Sequence, residues 1–293
     1  MPLASRRIKG QPRRNDMTPE IVVMPIPGET TQGKHLYQHL APERLFSLAG
    51  KVVFITGGAG GIADGLAKGF AAAGATLILA DMSDAVHERV KQYRAAGADA
   101  HGLTFDVTDE SAVEQALAQA ISIKGHLDVV VNNAGVIVRT PFLELTLGEW
   151  QKVIDTDLTA CFLVAQQAAR HMVERKQGRI INMSSIMNHV SRPRLVPYVS
   201  AKGGVSAFTR ALAADLAGTG VTINAIAPGY TVTPFSQANQ VEFNAFVSDW
   251  TPAKRWGRPE DICGAAVMLA SDAGAYINGH TLYIDGGFLS VTK

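Results

Sequence analysis

Three side chains in the second half of the chain have the types and the spacing for acid–base chemistry on an oxygen atom. Tyr198 and Lys202 lie about one helical turn apart, and Ser185 precedes them. A nearby ammonium lowers the pKa of a phenol from its usual value of about 10. A serine hydroxyl can hydrogen-bond the oxygen of an alcohol or a carbonyl. The set predicts alcohol–carbonyl interconversion, although a tyrosine and a lysine at this spacing alone are also typical of a solvated helix face.

A glycine-rich segment follows the first predicted strand and opens the first predicted helix. It reads Thr-Gly-Gly-Ala-Gly-Gly-Ile-Ala over residues 56–63 and contains Gly57, Gly61 and Ile62. Glycines let the backbone turn tightly and approach a pyrophosphate, whose charge is stabilised by the free N–H groups of a helix N-terminus. Because it stands between a strand and a helix, this segment predicts a dinucleotide-binding turn.

Asp81 ends the second predicted strand, at the distance from the glycine turn where a carboxylate can accept hydrogen bonds from the adenosine ribose hydroxyls. A carboxylate there would repel a 2′-phosphate, and the following Met82 supplies no positive charge. The sequence therefore predicts NAD as the cofactor rather than NADP. The alternative is that Asp81 only caps the helix that follows it.

Further candidate cofactor residues follow the next two predicted strands. Asp106 and Val107 come after the third strand, and Asn133, Ala134 and Gly135 come after the fourth. Ligands of such sheets bind at the carboxyl ends of the strands. We therefore expect these residues to line the cofactor, with Asp106 facing the adenine amino group. Each of them could instead serve as a cap or a turn.

The elements that must position these residues alternate from Gly50 onward between short apolar runs and longer helical stretches. This pattern is typical of an α/β fold with a single Rossmann-type, doubly wound parallel sheet of about seven strands and helices on both faces. Strands are predicted over residues 52–56, 76–81, 103–105, 127–132, 179–183, 222–227 and 281–284. Helices are predicted over residues 61–73, 85–96, 110–124, 147–174 and 198–217.

The alternation lapses over residues 233–256, a segment rich in aromatic side chains and bounded by prolines. It predicts an insertion that covers a substrate pocket as a lid. The alternative is a loop that packs permanently on the core.

Composition narrows the class of protein. The chain has 293 residues, 47% hydrophobic and 18% charged, with a formal net charge of +1. These values are typical of one large globular domain and do not indicate a nucleic-acid surface. No apolar run is long enough for a membrane span. The two cysteines, Cys161 and Cys263, have neither disulfide nor zinc spacing, so we expect no metal and a cytoplasmic, reducing compartment.

The start of the chain is rich in arginine and proline. Residues 1–45 are predicted to form an N-terminal extension that is flexible or partly ordered, and residues 46–293 to form the NAD-binding oxidoreductase domain. An organelle-targeting segment and an upstream translation start are the alternatives for the extension.

Several motifs in the same order resemble the short-chain dehydrogenase/reductase family from Leu45 to the C-terminus. The family pattern matches Thr56, Gly57, Gly61, Asn-Asn-Ala-Gly at 132–135, Ser185, Tyr198, Lys202, Pro228 and Gly229, with Ala63 in place of the third glycine. The resemblance implies that Lys202 binds the nicotinamide ribose and lowers the pKa of Tyr198, and that Ser185 holds the reacting oxygen. It also implies that the turn containing Pro228, Gly229, Thr231 and Thr233 embraces the cofactor.

Asp157 departs from this pattern, because the family usually has an asparagine there, whose backbone carbonyl holds a water molecule that links the lysine to solvent. If the carbonyl carries the role, aspartate can substitute, and Asp157 joins Ser185, Tyr198 and Lys202 in the catalytic set. If the side-chain amide matters, proton relay slows. A weakened NAD-binding protein that acts as a sensor or scaffold is then the alternative to an enzyme.

Residues 170–176, 227–230 and 251–257 resemble gluconate 5-dehydrogenase and similar keto-sugar-acid reductases. That resemblance implies NAD-dependent interconversion of a secondary alcohol and a ketone on a sugar acid such as gluconate. Arg139, Asn188 and Arg192 are candidate substrate contacts, since the planar fork of arginine suits a carboxylate. Dehydrogenases of polyols, steroids or other apolar alcohols are the alternative.

The family resemblance also implies a homodimer or homotetramer formed through the two long predicted helices. Apolar positions there could supply the contacts between subunits or could face their own sheet. They are Leu163, Val164, Ala165, Ala168, Phe208 and Leu212.

Overall fold

The computed structural model describes residues 37–234, 236 and 240–292. The chain divides into two units, Met1–Ala41 and Pro42–Lys293. In the first unit, Gln38–Leu40 forms a 3₁₀ turn. Residues 1–36 of the predicted extension lie outside the described residues.

A parallel sheet of seven strands forms the centre of the second unit, as the sequence predicts. The strands are β1 (Val52–Thr56), β2 (Thr76–Asp81), β3 (Ala100–Thr104), β4 (Val129–Asn132), β5 (Gly178–Met183), β6 (Val221–Pro228) and β7 (Thr281–Ile284). Their spatial order is β3-β2-β1-β4-β5-β6-β7. The winding reverses between β1 and β4, and such a reversal leaves a ligand crevice at the carboxyl ends of the strands.

Helices cover both faces of this sheet, which confirms the predicted doubly wound fold. The helices of this unit are α1 (Pro42–Leu45), α2 (Gly61–Ala72), α3 (Ala85–Ala95), α4 (Glu110–Lys124), α5 (Leu147–Ile154), α6 (Ala160–Glu174), α7 (Val196–Asp215), α8 (Val241–Trp250) and α9 (Pro259–Ala270). Side chains of β1 alternate between the two core clusters: Val53 and Ile55 pack with α2, α3 and α9, while Val52 and Phe54 pack with α4, α6 and α7. A strand buried on both faces needs a continuous apolar sequence, which β1 has.

The long helix predicted over residues 147–174 is interrupted. A π-helical segment, Asp155–Thr159, separates α5 from α6. Such segments insert an extra residue into the helical ladder and often occur at functional sites. The segment contains Asp157, which is fully buried.

Other differences concern the edges of the pattern. Strand β3 begins at Ala100, three residues earlier than predicted. The prediction missed this start because alanine, histidine and glycine do not favour strands. Helices α8 and α9 were not predicted, and α8 lies inside the proposed insertion.

The apolar residues that could have joined subunits lie against their own sheet. Val164, Ala165 and Ala168 are buried in the core cluster on that face. Leu163, Phe208 and Leu212 are partly buried against the same cluster. Phe162 of α6, in contrast, is 44% exposed.

Candidate active site

Helix α7 carries Tyr198 and Lys202 and is held against β5 by buried hydrogen bonds. The Ser184 hydroxyl donates to the backbone carbonyl of Lys202 at 3.1 Å and hydrogen-bonds the Ser206 hydroxyl at 2.9 Å. Deeper in the core, Asn182 at the end of β5 donates to the Thr209 hydroxyl of α7 at 3.0 Å. Buried polar bonds of this kind fix the register of a helix on a strand.

Ser185 and Tyr198 line the same cavity, which has a volume of about 200 Å³. Ser185 directly follows Ser184 and begins a 3₁₀ turn, where its hydroxyl oxygen accepts a hydrogen bond from the backbone N–H of Met187 at 3.2 Å. The hydroxyl hydrogen of Ser185 remains available to donate to a ligand. The two residues that the sequence pairs for acid–base chemistry therefore converge in space.

The Lys202 ammonium is buried beside them. It lies 5.5 Å from the centroid of the Tyr198 ring and donates to the backbone carbonyl of Met183 at 3.0 Å. Its nitrogen is 3.1 Å from Oδ2 of Asp157. Burial by itself lowers the pKa of Lys202, but the Asp157 carboxylate outweighs burial and holds that pKa above its usual range. Lys202 is therefore a permanent cation next to the phenol.

Asp157 is fully buried, and its carboxylate touches two elements of the site. Oδ1 accepts a hydrogen bond from the backbone N–H of Val136 at 2.7 Å, and Oδ2 faces Lys202. Burial raises the pKa of Asp157, while Lys202 and the Val136 N–H oppose that shift. A Cβ atom on Gly135 would lie 3.0 Å from Oδ2, so the carboxylate packs tightly against Gly135.

The backbone carbonyl of Asp157 accepts a hydrogen bond from the thiol of Cys161 at 3.4 Å. Burial raises the pKa of Cys161 to about 12, so the thiol stays protonated and can donate.

The glycine turn forms a cradle at the end of β1. Gly57 has a φ of +66°, and a Cβ atom on it would lie 2.9 Å from the Cα atom of Ala134. Helix α2 begins at Gly61 behind Gly60, which has no side chain to cap the helix, so its first N–H groups are available to an anion. This combination of close backbone approach and free N–H groups fits a dinucleotide pyrophosphate.

Asn133 and Ala134 join the fourth strand to this cradle. Their backbone N–H groups donate to the Thr56 hydroxyl at 3.0 and 3.1 Å. The Asn133 amide also donates to the backbone carbonyl of Thr56 at 2.9 Å. The two residues therefore lie at the crevice that the fold creates between β1 and β4.

Asp81 ties the end of β2 to the glycine turn. Its two carboxylate oxygens accept hydrogen bonds from the backbone N–H groups of Ala59 and Ser83, each at 3.0 Å. The residue that precedes α3 is Asp84, so Asp81 stands one turn before the helix cap. Each oxygen keeps a lone pair for another donor.

Asp106 stabilises a turn, which is the alternative to cofactor contact that the sequence allowed for this residue. One of its carboxylate oxygens accepts from the backbone N–H and the hydroxyl of Thr108, at 2.9 and 2.7 Å. Val107 is 8% exposed.

Most of the remaining candidate residues lie around the cavity. Those that line it are Ile62, Arg139, Arg192, Pro228, Gly229, Thr231 and Thr233. Asn188 is engaged elsewhere, since its amide donates to the Ser206 hydroxyl at 2.7 Å and accepts from the Tyr283 hydroxyl at 3.0 Å.

Sequence reasoning missed several apolar lining residues, including Ile137, Met187 and Leu195. Only the proximity of Met187 to Ser185 along the chain could have indicated one of them.

Aromatic side chains enclose part of the same cavity. The Tyr230 ring packs edge-on against Phe243, Trp256 and Phe288, with centroids 5.4, 5.7 and 5.2 Å apart. The Arg192 guanidinium lies 4.1 Å from the centroid of Phe243. Burial raises the pKa of Tyr230, and Arg192 partly offsets that shift.

Two further features bear on the class of site. Within residues 37–234, 236 and 240–292, no group of three or more potential metal-ligating side chains comes together. No helix in that part of the chain is long and apolar enough to cross a membrane.

Comparison with known proteins defines the family. A family model described as Enoyl-(Acyl carrier protein) reductase matches residues 57–289. The chain is 41% identical over 248 residues to the 5-keto-D-gluconate 5-reductase of Escherichia coli strain K12, covering 84% of this chain and 98% of that protein. It is 37% identical over 251 residues to the 2-dehydro-3-deoxy-D-gluconate 5-dehydrogenase of Formosa agariphila, covering 84% and 95%.

A solved structure is similar over the same length. The crystal structure of a gluconate 5-dehydrogenase from Burkholderia cenocepacia, in complex with NADP and tartrate, has a TM-score of 0.82 and 36% identity. The match covers 85% of this chain and 99% of that chain.

The chain belongs to the short-chain dehydrogenase/reductase family. It is an oxidoreductase of the nicotinamide-dependent type that this family comprises. The resemblance to the family and to its gluconate 5-dehydrogenase branch, inferred from the motifs, is thereby confirmed.

Proposed function

We propose that the protein is an NAD(H)-dependent dehydrogenase that interconverts a secondary alcohol and a ketone on a sugar acid such as gluconate. One observation carries this proposal: Ser185 and Tyr198 open onto the same cavity as Arg139 and Arg192. The cavity thus holds both a pair for proton transfer and cations for a carboxylate. Relatives named for gluconate derivatives support this substrate class.

In the direction of alcohol oxidation, we assign the proton to Tyr198. Its phenolate, stabilised by the buried Lys202 cation, accepts the hydroxyl proton while the Ser185 hydroxyl donates a hydrogen bond to the same oxygen. When bound, the nicotinamide ring supplies the hydride acceptor. In ketone reduction the same two side chains act in reverse, with Tyr198 returning the proton.

The cofactor assignment covers three segments. The glycine turn with Gly57, Gly61 and Ile62 would hold the pyrophosphate, since no side chain caps the start of α2. Residues 133–135 would line the nicotinamide half beside Lys202. Residues 228–231 and 233, which line the cavity, would close over it.

We propose NAD over NADP because of Asp81. Its carboxylate stands at the end of β2, and the adjacent Met82 is 72% exposed and uncharged. A 2′-phosphate there would meet a like charge. A similar gluconate 5-dehydrogenase was crystallised with NADP, so a comparison of NAD with NADP on the present chain tests this proposal directly.

The charges around the cavity favour an anionic substrate. Arg139 and Arg192 line it, and no carboxylate of the described residues does. Arginine binds carboxylates through two parallel hydrogen bonds. A sugar acid satisfies this site better than a neutral polyol.

A second candidate rests on the apolar part of the lining. Ile137, Met187, Leu195 and Trp256 present hydrocarbon to the cavity. Such a surface favours steroids or other apolar alcohols. The two candidates differ in whether activity requires a carboxylate on the substrate.

The segment 233–256 is proposed to cover the substrate. Thr233, Ser236, Phe243 and Trp256 of the segment and its border line the cavity. Phe235 and residues 237–239 of the same segment lie outside the described residues.

We further propose a cytoplasmic homodimer or homotetramer. Cys161 and Cys263 are both free thiols, as expected in a reducing compartment. The exposed Phe162 on α6 supplies an apolar contact for a partner subunit. Light scattering of the purified protein measures the assembly.

The decisive experiment is a substrate panel. The purified chain is incubated with NAD or NADP and with gluconate, other sugar acids, neutral polyols and steroids, while NADH or NADPH absorbance is recorded. We expect turnover with NAD and a sugar acid, and little with the neutral polyol of the same chain length. Activity only on neutral apolar alcohols would favour the second candidate. Binding of NADH without turnover on any alcohol would favour a sensor or scaffold.

A further inference from the structure

We propose that the Asp157 carboxylate neutralises the charge of Lys202 and thereby places the working pH range of Tyr198 higher than an asparagine at this position would. Asp157 is then a positioning residue that acts through Lys202, not a proton relay. The inference rests on the proposed function in one respect only, namely that Tyr198 is the group that exchanges the proton.

The Asp157 carboxylate is held in direct contact with the Lys202 ammonium. The carboxylate reaches the ammonium at 3.1 Å, both groups are buried, and the side chain of Asp157 has no exposed surface. The N–H of Val136 anchors the other carboxylate oxygen. The π-helical segment aims Asp157 inward, and Gly135 leaves the space that it occupies.

The charge inventory around this pair is short. The groups that bear on Lys202 are Asp157, the Tyr198 phenol on the same helix, and the Cys161 thiol on α6. Asp157 is the carboxylic group among these and lies 3.1 Å from the ammonium, while burial keeps the Cys161 thiol protonated. Asp157 therefore partly offsets the Lys202 charge that acts on Tyr198.

The direction in which proton release should change when the negative charge is removed follows from electrostatics. A negative charge favours the protonated form of every acid near it, so its loss favours release of a proton from the acid groups around it. At an effective dielectric constant of about 20, a unit charge within about 10 Å of an acid shifts its pKa by about one to two units. The acid limb of the pH–rate profile for alcohol oxidation, which reports loss of the proton from the acid–base group, should therefore move toward lower pH.

The test is Asp157→Asn, which has nearly the same volume and keeps an oxygen for the Val136 N–H. In alcohol oxidation by the full chain with NAD, we expect the acid limb of the kcat/KM profile to move down by about one pH unit. Asp155→Asn is the matched control, since Asp155 lies in the same π-helical segment and its partly exposed carboxylate accepts a hydrogen bond from the Gln151 amide. It should leave the acid limb in place.

A second readout does not need turnover. The ultraviolet absorbance of the phenolate is titrated in the wild type and in Tyr198→Phe, and the difference reports Tyr198 itself. The same pair of measurements is then made in the Asp157→Asn background, where the phenolate should form at lower pH. If no alcohol is oxidised, the proposed function fails, but this titration still tests the ion pair.

Two results would overturn the inference. One is an unchanged titration and pH profile in Asp157→Asn, which would mean that Asp157 is protonated or ineffective. The other is a shift toward alkaline pH. Should Asp157→Asn fail to fold, Asp157→Ser, which also removes the charge, must move the titration in the same acid direction.

Discussion

The guanidinium of Arg192 lies over the ring of Phe243, 4.1 Å from its centroid. This contact joins the loop that precedes α7 to α8, so the catalytic helix and the covering segment meet through two side chains. Both residues line the cavity. A substrate carboxylate that binds Arg192 would therefore influence where α8 lies through the contact between Arg192 and Phe243.

Phe243→Ala removes this stacking partner and opens the cavity. We expect KM for the sugar acid to rise about five- to tenfold with little change in kcat, because a cation–π contact of this kind contributes about 1 kcal/mol. Steady-state kinetics measure it. Phe246→Ala is the control, since Phe246 is 42% exposed on the same helix and is not part of the lining. An equal effect of both variants would argue for general loss of α8.

Tyr198→Phe removes the acid–base group but keeps the ring. We expect kcat to fall by about 10² to 10⁴, the usual contribution of general acid–base catalysis, with cofactor affinity retained. Ser200→Ala is the matched control on α7, where the Ser200 hydroxyl only donates to the carbonyl of Val196. Turnover of the Tyr198→Phe variant near the wild-type rate would refute the assignment of the proton.

Asp81→Ser combined with Met82→Arg should reverse the cofactor preference. Loss of the carboxylate and gain of a cation should strengthen NADP binding about tenfold and weaken NAD binding by a similar factor. Fluorescence titration with each cofactor measures both constants. Because Asp81 also holds the Ala59 N–H, mere damage to the turn would weaken both cofactors alike. Asp84→Asn, one turn later, should change neither.

Gly135→Ala should crowd the buried carboxylate of Asp157. The added Cβ would lie 3.0 Å from Oδ2, and overpacking of this kind costs about 1–3 kcal/mol of unfolding free energy. Gly148→Ala is the control because nothing lies within 4 Å of its added Cβ on the exposed start of α5. Urea denaturation should show the first variant destabilised and the second unchanged or slightly more stable.

Asp261 gives the fold a defined acid dependence at the start of α9. Hydrogen bonds from Arg255 and the Arg258 N–H lower the pKa of Asp261 to about 2. A carboxyl whose pKa is depressed in the folded state stabilises above its unfolded pKa, and that stabilisation is lost as the pH falls from about 4 toward 2. Asp261→Asn should therefore be less stable than wild type at pH 6, and the difference should shrink by pH 3.

Arg255→Gln supplies the control for that measurement. It removes the two hydrogen bonds to the carboxylate, at 2.6 and 2.9 Å, while leaving the carboxylate itself. Its unfolding free energy should show a weaker dependence on pH than that of the wild type over the same range. A pH dependence equal to the wild type would assign the effect to another carboxyl.

Much of the fold could be predicted from local pattern. The boundaries of β1, β2, β7 and α4 agree with the sequence prediction, since each is an apolar or amphipathic run bounded by residues that end such elements. The glycine turn and the residues at strand ends were predictable for the same reason. Spacing along one strand–turn–helix unit determines which backbone groups face the crevice.

The sequence by itself determined which residue types could do chemistry, because Tyr198 and Lys202 share one helix and need only helical geometry to meet. Only the tertiary structure decided where Asp157 points and what Asn188 binds. The π-helical turn and the pairing of Asp157 with Lys202 depend on packing between α5, α6 and α7. Contacts between elements distant in sequence carry no periodic signal, so the charge next to the catalytic tyrosine was settled only when the helices packed.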